Sequence, residues 1–391
     1  MPAETVSPIE SCLDQLTRWS GVVADDTRMP GLLTALEKVP DPHARRGRRY
    51  RLPSLIAVAL CAVDAGARSF YAIADWAADV PRQVLERCSI RFRIPSAAAI
   101  RQVFGRVDGD TLDQALGHHL AAVIDVEDGR MAVAVDGKTI RGARTGGGSA
   151  PHLVSAVTHG ETVVLGQRRT ADMTNEIPTV RKLLRGLDIA GAVVTLDAMH
   201  TQRATARCLR EQCRAEYVMI VKANQPSLLT RSGTSLGSRC QWCGPTRSSA
   251  VTDASNTAPT RSSPSLGLRF QCAQQAIQIT RRRRPIGADG WSVEVVNAIC
   301  SLPCEQAPPK LVASWIRGHW HIENKIHYVR DVTFDEDRST VRAGHGPQVM
   351  ATLRNVVVSL HRRAGHTNIA RACQLLAAGN PHHAADLVMS A

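Results

Sequence analysis

Between residues 128 and 225 the chain alternates short apolar runs with stretches of helical spacing, and that order leaves few ways to fold. MAVAV (131–135) is a short apolar strand ending in Asp136-Gly137-Lys138. HLVSAVTH and ETVVLGQRR, within 152–169, read as a hairpin turning at His159-Gly160. A helix from about Asn175 to Leu187 follows, then the buried run AVVTL (192–196), which ends in Asp197-Ala198-Met199-His200. A further helix through about Cys213 leads to YVMIV (217–221), closing on Lys222-Ala223-Asn224-Gln225. Strands followed by alternating helix and strand predict an α/β fold, a mixed β-sheet flanked by helices.

Downstream, WIRGHWHIENKIHYVRDVTFDED (315–337) reads as a helix, because Leu311, Trp315, Ile322, Ile326 and Val329 recur at helical spacing. His319, Glu323 and His327 fall at i, i+4 and i+8 and so share a face, with Arg330 close to the same stripe. Such a face suits an anion met through a metal; a solvated polar face is the plain alternative. A metalloenzyme unrelated to DNA would have this triplet as its sole support, and the triplet lacks the HExxH spacing of zinc hydrolases.

Upstream the texture is helical. Residues 1–30 form a poorly defined lead. Leu32, Leu33, Leu36 and Val39 make a short helix that stops at Pro40-Asp41-Pro42, and a basic loop follows with Arg45, Arg46, Arg48 and Arg49, assigned to DNA phosphates. A mostly apolar helix runs from Pro53 to about Gly66, and Ser69 is placed to cap another over Tyr71–Val80. A helix starting at Pro95-Ser96 and its successor beyond Val107-Asp108-Gly109-Asp110 form either a helix-turn-helix reader or ordinary helical packing. This divides the chain into an all-helical N-terminal domain (31–127), an α/β domain (128–365) and a tail (366–391). Residues 230–272 break the second: they are rich in Ser, Thr, Gly and Pro, with no sustained period, and read as an irregular surface insert.

Lys and Arg total 48 against 35 Asp and Glu, a formal charge of +13. That excess suggests a polyanionic partner, nucleic acid or an anionic membrane surface. The most apolar run, Leu52 to Ala67, contains Asp64 and is too short to span a bilayer. The N-terminus has no basic stretch followed by an apolar one. The expectation is a cytoplasmic protein that meets DNA rather than membrane. Eleven Cys in such a chain are expected to be reduced thiols. Cys240 and Cys243, with Cys300 and Cys304, imitate a four-Cys zinc site, but their long separation argues against it.

Magnesium prefers carboxylate oxygens, and phosphoryl transfer on nucleic acids commonly uses two such ions about 3.5–4 Å apart. Asp136 and Asp197, at the ends of apolar strands, and Glu323 on the helix sit where such ligands would. His200, Lys222, Asn224, His319 and Arg330 would then hold DNA phosphates or orient the scissile one. Lys138, Arg317, Trp320 and Asn324, in the same stretches, are assigned to the same DNA face.

DGKTIRGA (136–143), DAMHTQ (197–202), KANQ (222–225) and IRGHWHIENKIHYVRDVTFDEDRSTVR (316–342) together resemble the DDE-type insertion-sequence transposases of bacteria, in particular the H-repeat-associated group. Residues 39–79 resemble the helical domain associated with that family. The resemblance covers about Leu32 to Gly365 with one gap. It implies an RNase-H-like core with the acidic triad Asp136, Asp197 and Glu323. It also implies two Mg²⁺ ions (Mn²⁺ in their place), cleavage of double-stranded DNA at the element's terminal repeats, and strand transfer to target DNA by a 3′-hydroxyl. A homodimer in a synaptic complex follows by analogy. The departure is at about 230–272, where similar sequences carry a charged His-Gly-Arg-x-Glu-like stretch. A compensated pair of frameshifts or a genuine insertion accounts for it, and either puts the delivery of Glu323 in question. Two rivals stand: a catalytically inactive remnant that still binds DNA, and a nuclease using the triad without strand transfer.

Overall fold

The computed structural model describes residues 31–43, 49–122, 124, 129–145, 148–171, 176–238, 241–247, 257–264, 269–283 and 292–389. Six helices come first: α1 (Leu32–Leu36), α2 (Leu52–Asp64), α3 (Phe70–Asp79), α4 (Arg82–Arg87), α5 (Ala97–Phe104) and α6 (Gly109–Ala121). Ser69 caps α3 as expected, its hydroxyl accepting from the Ala72 amide at 3.2 Å. The sheet is built from β1 (Ala132–Thr139), β2 (His152–Thr158), β3 (Val164–Arg169), β4 (Val193–Leu196), β5 (Glu216–Val221), β6 (Gln241–Arg247), β7 (Thr257–Pro264), β8 (Gln275–Arg283) and β9 (Ser292–Cys300). α7 (Glu176–Arg185) links β3 to β4, and α8 (Arg203–Arg207) links β4 to β5. Beyond the sheet come α10 (Pro309–Gly318), α11 (Tyr328–Val332), α12 (Gly346–Arg363), α13 (Ile369–Ala378) and α14 (His382–Met389), while α9 (Pro226–Ser238) precedes β6.

The nine strands lie in the order β3-β2-β1-β4-β5-β9-β8-β7-β6. β1 pairs antiparallel with β2 and parallel with β4, and β4 pairs parallel with β5. This is the expected RNase-H-like mixed sheet. The remaining four strands extend it in antiparallel fashion from β5.

Three features differ from the sequence expectation. β1 runs on past MAVAV to Thr139, because Asp136 to Thr139 keep pairing with Ser155 to His152 of β2. Residues 230–272 are not structureless: they complete α9 and supply β6 and β7. Backbone pairing at a sheet edge needs no alternating side-chain pattern, so this part left no period in the sequence. The C-terminal residues are not a mere tail, since Ile369, Cys373, Leu376, Ala385 and Val388 of α13 and α14 join the core around α2. That core also takes Leu353 and Val357 of α12 with Leu112 and Leu116 of α6, so N-terminal and C-terminal helices bury one another.

Of the two readings of α5 and α6, the packing favours ordinary helical packing over a helix-turn-helix reader. α6 packs with its backbone on β3: a Cβ at Gly117 would stand 2.0 Å from the Leu165 carbonyl oxygen. Gly117→Ala is therefore expected to cost about 1–3 kcal/mol, as overpacking does, and to lower the urea unfolding midpoint. An unchanged midpoint would show that α6 sits off the strand. Among the described residues no helix is long and apolar enough to cross a membrane.

Candidate active site at the carboxyl ends of β1 and β4

Parallel pairing brings the two Asp residues together. The last register pair of β1 and β4 is Val135 with Leu196. Asp136 and Asp197 each follow it by one residue, on strands about 4.8 Å apart. Asp136 is pushed up to about 6, chiefly by burial, with the Gly137 amide opposing and the charges of Glu323 and Glu176 adding to the rise. Burial works the same way on Asp197, but the Ala198 amide and the Lys222 ammonium outweigh it and hold that carboxyl below its ordinary value. Lys222 Nζ is 3.2 Å from Asp197 Oδ1.

Glu323 arrives from the other side of the sheet ends. Val312, Ala313, Trp315 and Ile316 of α10 pack on Val193, Val218, Ile277 and Ala298 of the sheet. None of those sheet residues lies in 230–272, so the seat of α10 does not depend on that segment's side chains alone. The helical path then widens into a π-helical stretch, Ile322–His327, before α11. Such stretches are frequent at functional sites. With Ile322 and Ile326 buried, Glu323 is left exposed. The widened turn breaks the i, i+4, i+8 stripe and spreads its members along the strand ends. His319 Nδ1 lies 3.0 Å from Thr195 Oγ1, whereas His327 Nδ1 is 3.5 Å from Asp136 Oδ2. Burial lowers His319 to about 4 and His327 to about 3, so both rings are neutral at pH 7. The three do not converge: among the described residues, Asp64, His361 and Cys373 form the one group of three ligand side chains whose atoms all approach within 4.8 Å.

The residues assigned to DNA divide. Arg45, Arg46 and Arg48 lie outside the described residues, and Arg49 is exposed. Lys222, Asn224, Trp320 and Asn324 are exposed and Arg317 is half-buried. Lys222, His319, Trp320 and Asp197 line one small cleft of about 70 Å³. Lys138 is half-buried, with its ammonium 2.6 Å from Asp331 Oδ2, and so is engaged within the fold. Two assignments fail. His200 is 1% exposed and faces Glu176 at 3.3 Å. Arg330 is 0% exposed, bonded to both oxygens of Glu336 at 3.1 and 2.7 Å and to Gln167 at 3.1 Å. Neither side chain can reach a phosphate; a helical stripe does not reveal which of its members the fold covers. The zinc reading also loses support. Cys240 lies outside the described residues, while Cys300 accepts from the Leu302 amide and Cys304 donates to Gln275.

Sequence reasoning missed Glu176. It bridges His152, 2.8 Å away, and buried His200, and its carboxylate is held down at about 2 by those two imidazoles in spite of burial. It opens α7 with no motif around it, so nothing in the sequence marks it. Carboxylate oxygens suit a divalent hard cation, and Asp136 is raised in part by the charges of Glu323 and Glu176, but Asp136, Asp197 and Glu323 do not all lie within 4.8 Å of one another.

The sequence profile of the "Transposase DDE domain" family matches residues 127–360, and that of the "DDE_Tnp_1-associated" family matches 33–120. The chain belongs to the transposase DDE domain family. "Putative transposase YncI" of Escherichia coli O157:H7 is 26% identical, over 85% of this chain and 87% of its own length. "H repeat-associated putative transposase YhhI" of Escherichia coli K12 is 23% identical over 84% and 89%. Among solved structures, the cryo-EM structure of the piggyBac transposase synaptic complex with hairpin DNA is similar at TM-score 0.42 and 11% identity, over 84% of this chain and 71% of that one.

In this transposase, the charge of Glu176 is felt at Asp136 while its carboxylate pairs with His152 and His200. Glu176→Gln is expected to raise the Mg²⁺ concentration for half-maximal DNA cleavage by about 10- to 100-fold, as the loss of outer-shell partners does. Titration of cleavage against Mg²⁺ checks this, and an unchanged midpoint would make the Glu176 bridge purely structural.

Proposed function

We propose that this transposase performs Mg²⁺-dependent cleavage of double-stranded DNA at the ends of its element and then strand transfer by the freed 3′-hydroxyl. The observation that carries the reading is the side-by-side placement of Asp136 and Asp197 on parallel neighbours, with the charge of Glu323 felt at Asp136. Asp136, Asp197 and Glu323 would hold two Mg²⁺ ions. Bound there, the ions supply activation of the attacking oxygen and stabilisation of the leaving one. The protein's residues position and neutralise. Lys222, beside Asp197, and exposed Asn224, Asn324 and Trp320 meet the DNA backbone near the scissile phosphate. Neutral His319 and His327 brace the sheet ends without adding charge. No protein nucleophile is needed, since water and then a DNA 3′-hydroxyl attack in line. Two ends to be joined suggest two protomers in a synaptic complex.

A second reading has an observation of its own: the aberrant composition of 230–272 favours a remnant that binds DNA without cutting it. Cleavage of a fragment bearing the element's terminal repeats, in Mg²⁺ and in EDTA, separates these readings. Strand transfer from pre-cut ends excludes a plain nuclease.

A further inference from the structure

The helical core holds a second set of ligand side chains that the DNA chemistry does not use. Asp64, at the end of α2, and His361, near the end of α12, are 0% and 1% exposed. Cys373 of α13 is also buried. His361 Nε2 faces both partners, Asp64 Oδ1 at 2.6 Å and Cys373 Sγ at 3.9 Å. Asp64 Oδ2 and His361 Nδ1 are buried without a hydrogen-bond partner. A carboxylate buried with an unsatisfied oxygen is costly in a core of this apolar kind.

We propose that Asp64, His361 and Cys373 bind a divalent transition ion, zinc in the cell, as a structural site distinct from the DDE carboxylates. The donor set is mixed oxygen, nitrogen and sulfur, which zinc takes and magnesium does not. With metal–ligand bonds of about 2.0–2.3 Å, the edges of a tetrahedral zinc site are about 3.3–3.6 Å. The observed separations bracket that range. The Asp64–His361 pair has only to open by several tenths of an ångström and Cys373 to close by about as much. The ion replaces the proton shared by that pair and gives the carboxylate a second interaction. Water supplies the fourth position, since the Cys61 thiol on α2 is engaged with Cys88 and the Ala384 carbonyl. The site joins α2, α12 and α13. On α12, Arg354 and Asn355 reach the Glu336–Arg330 cluster behind the π-helical stretch. Zinc would therefore staple the N-terminal helices to the helix that backs the Glu323 segment.

The test uses the full chain purified from cultures grown in cobalt-supplemented minimal medium, because the site is buried and loads on folding. The expected result is about one Co²⁺ per chain with a thiolate-to-cobalt charge-transfer band in the near ultraviolet. The band should be lost in Cys373→Ser and kept in Asp136→Asn, which removes a DDE carboxylate instead. Asp64→Asn should weaken cobalt retention against a chelator by at least about tenfold. Should Cys373→Ser not fold, native mass spectrometry of the wild type grown in zinc decides, with one retained Zn²⁺ expected. Absence of both the band and retained zinc in the wild type overturns the proposal, as does a band that survives Cys373→Ser.

Discussion

Asp197→Asn is expected to cut Mg²⁺-dependent end cleavage by on the order of a thousandfold or more while leaving DNA binding and folding in place. The substitution keeps size and the oxygen that accepts from the Ala198 amide, but removes a formal charge from the ligand set. Metal-borne stabilisation of a phosphoryl transition state is worth several kcal/mol, and each 1.36 kcal/mol is about tenfold in rate. Asp197 is the more telling of the two Asp residues. Its environment holds it ionised, whereas Asp136 sits at about 6 before any cation joins it. Cleavage at the wild-type rate by the variant would remove Asp197 from the site. Loss of cleavage in the variant alone would establish its role and show that 230–272 is tolerated. Inactivity of both proteins with DNA binding intact would favour the decayed copy and make 230–272 the first stretch to repair.

The second large effect is on stability. Glu336 is wholly buried between two guanidinium groups, with Arg330 Nη2 at 2.7 Å and Arg354 Nη1 at 2.8 Å. Glu336→Ala leaves two buried cations without their partner and is expected to destabilise by about 3–5 kcal/mol. The urea unfolding midpoint should fall accordingly. A triple change that also replaces Arg330 and Arg354 by Met should recover much of the loss, since exchanging a buried ionic cluster for apolar side chains is often neutral. Recovery should be partial, because Gln167 and Asn355 also bond Arg330 and would lose that partner. The pH dependence follows in sign. Desolvation opposes ionisation of Glu336, but the two Arg charges prevail and lower it from 4.5 to about 2. Its contribution is therefore full above about 4.5 and is lost as pH falls through about 2. A midpoint that does not move in Glu336→Ala would mean that water, not the two guanidiniums, satisfies this carboxylate.

The order of short apolar runs and helical stretches determined a mixed α/β sheet by itself; its RNase-H-like character came from the resemblance of the motifs that follow its strands. A run of five apolar residues bounded by turn residues has few alternatives to a buried strand, and AVVTL and YVMIV became β4 and β5 within one residue. The candidate triad could be picked out for the same reason, since strand ends and one polar helix face leave local marks. Tertiary structure decided what those marks could not. Arg330 shares a stripe with His319 and Glu323, yet a helix has neighbours on several sides, and only packing against α12 and β2–β3 made it an anchor rather than a DNA contact. Glu176 lies beside Asp136 because of where α7 crosses the sheet, a long-range placement that no neighbouring residue encodes. Residues 230–272 and the C-terminal helices show the same limit. Strand pairing at an edge is a backbone property, and helices as short as α14 gain their stability from the core they join rather than from their own sequence.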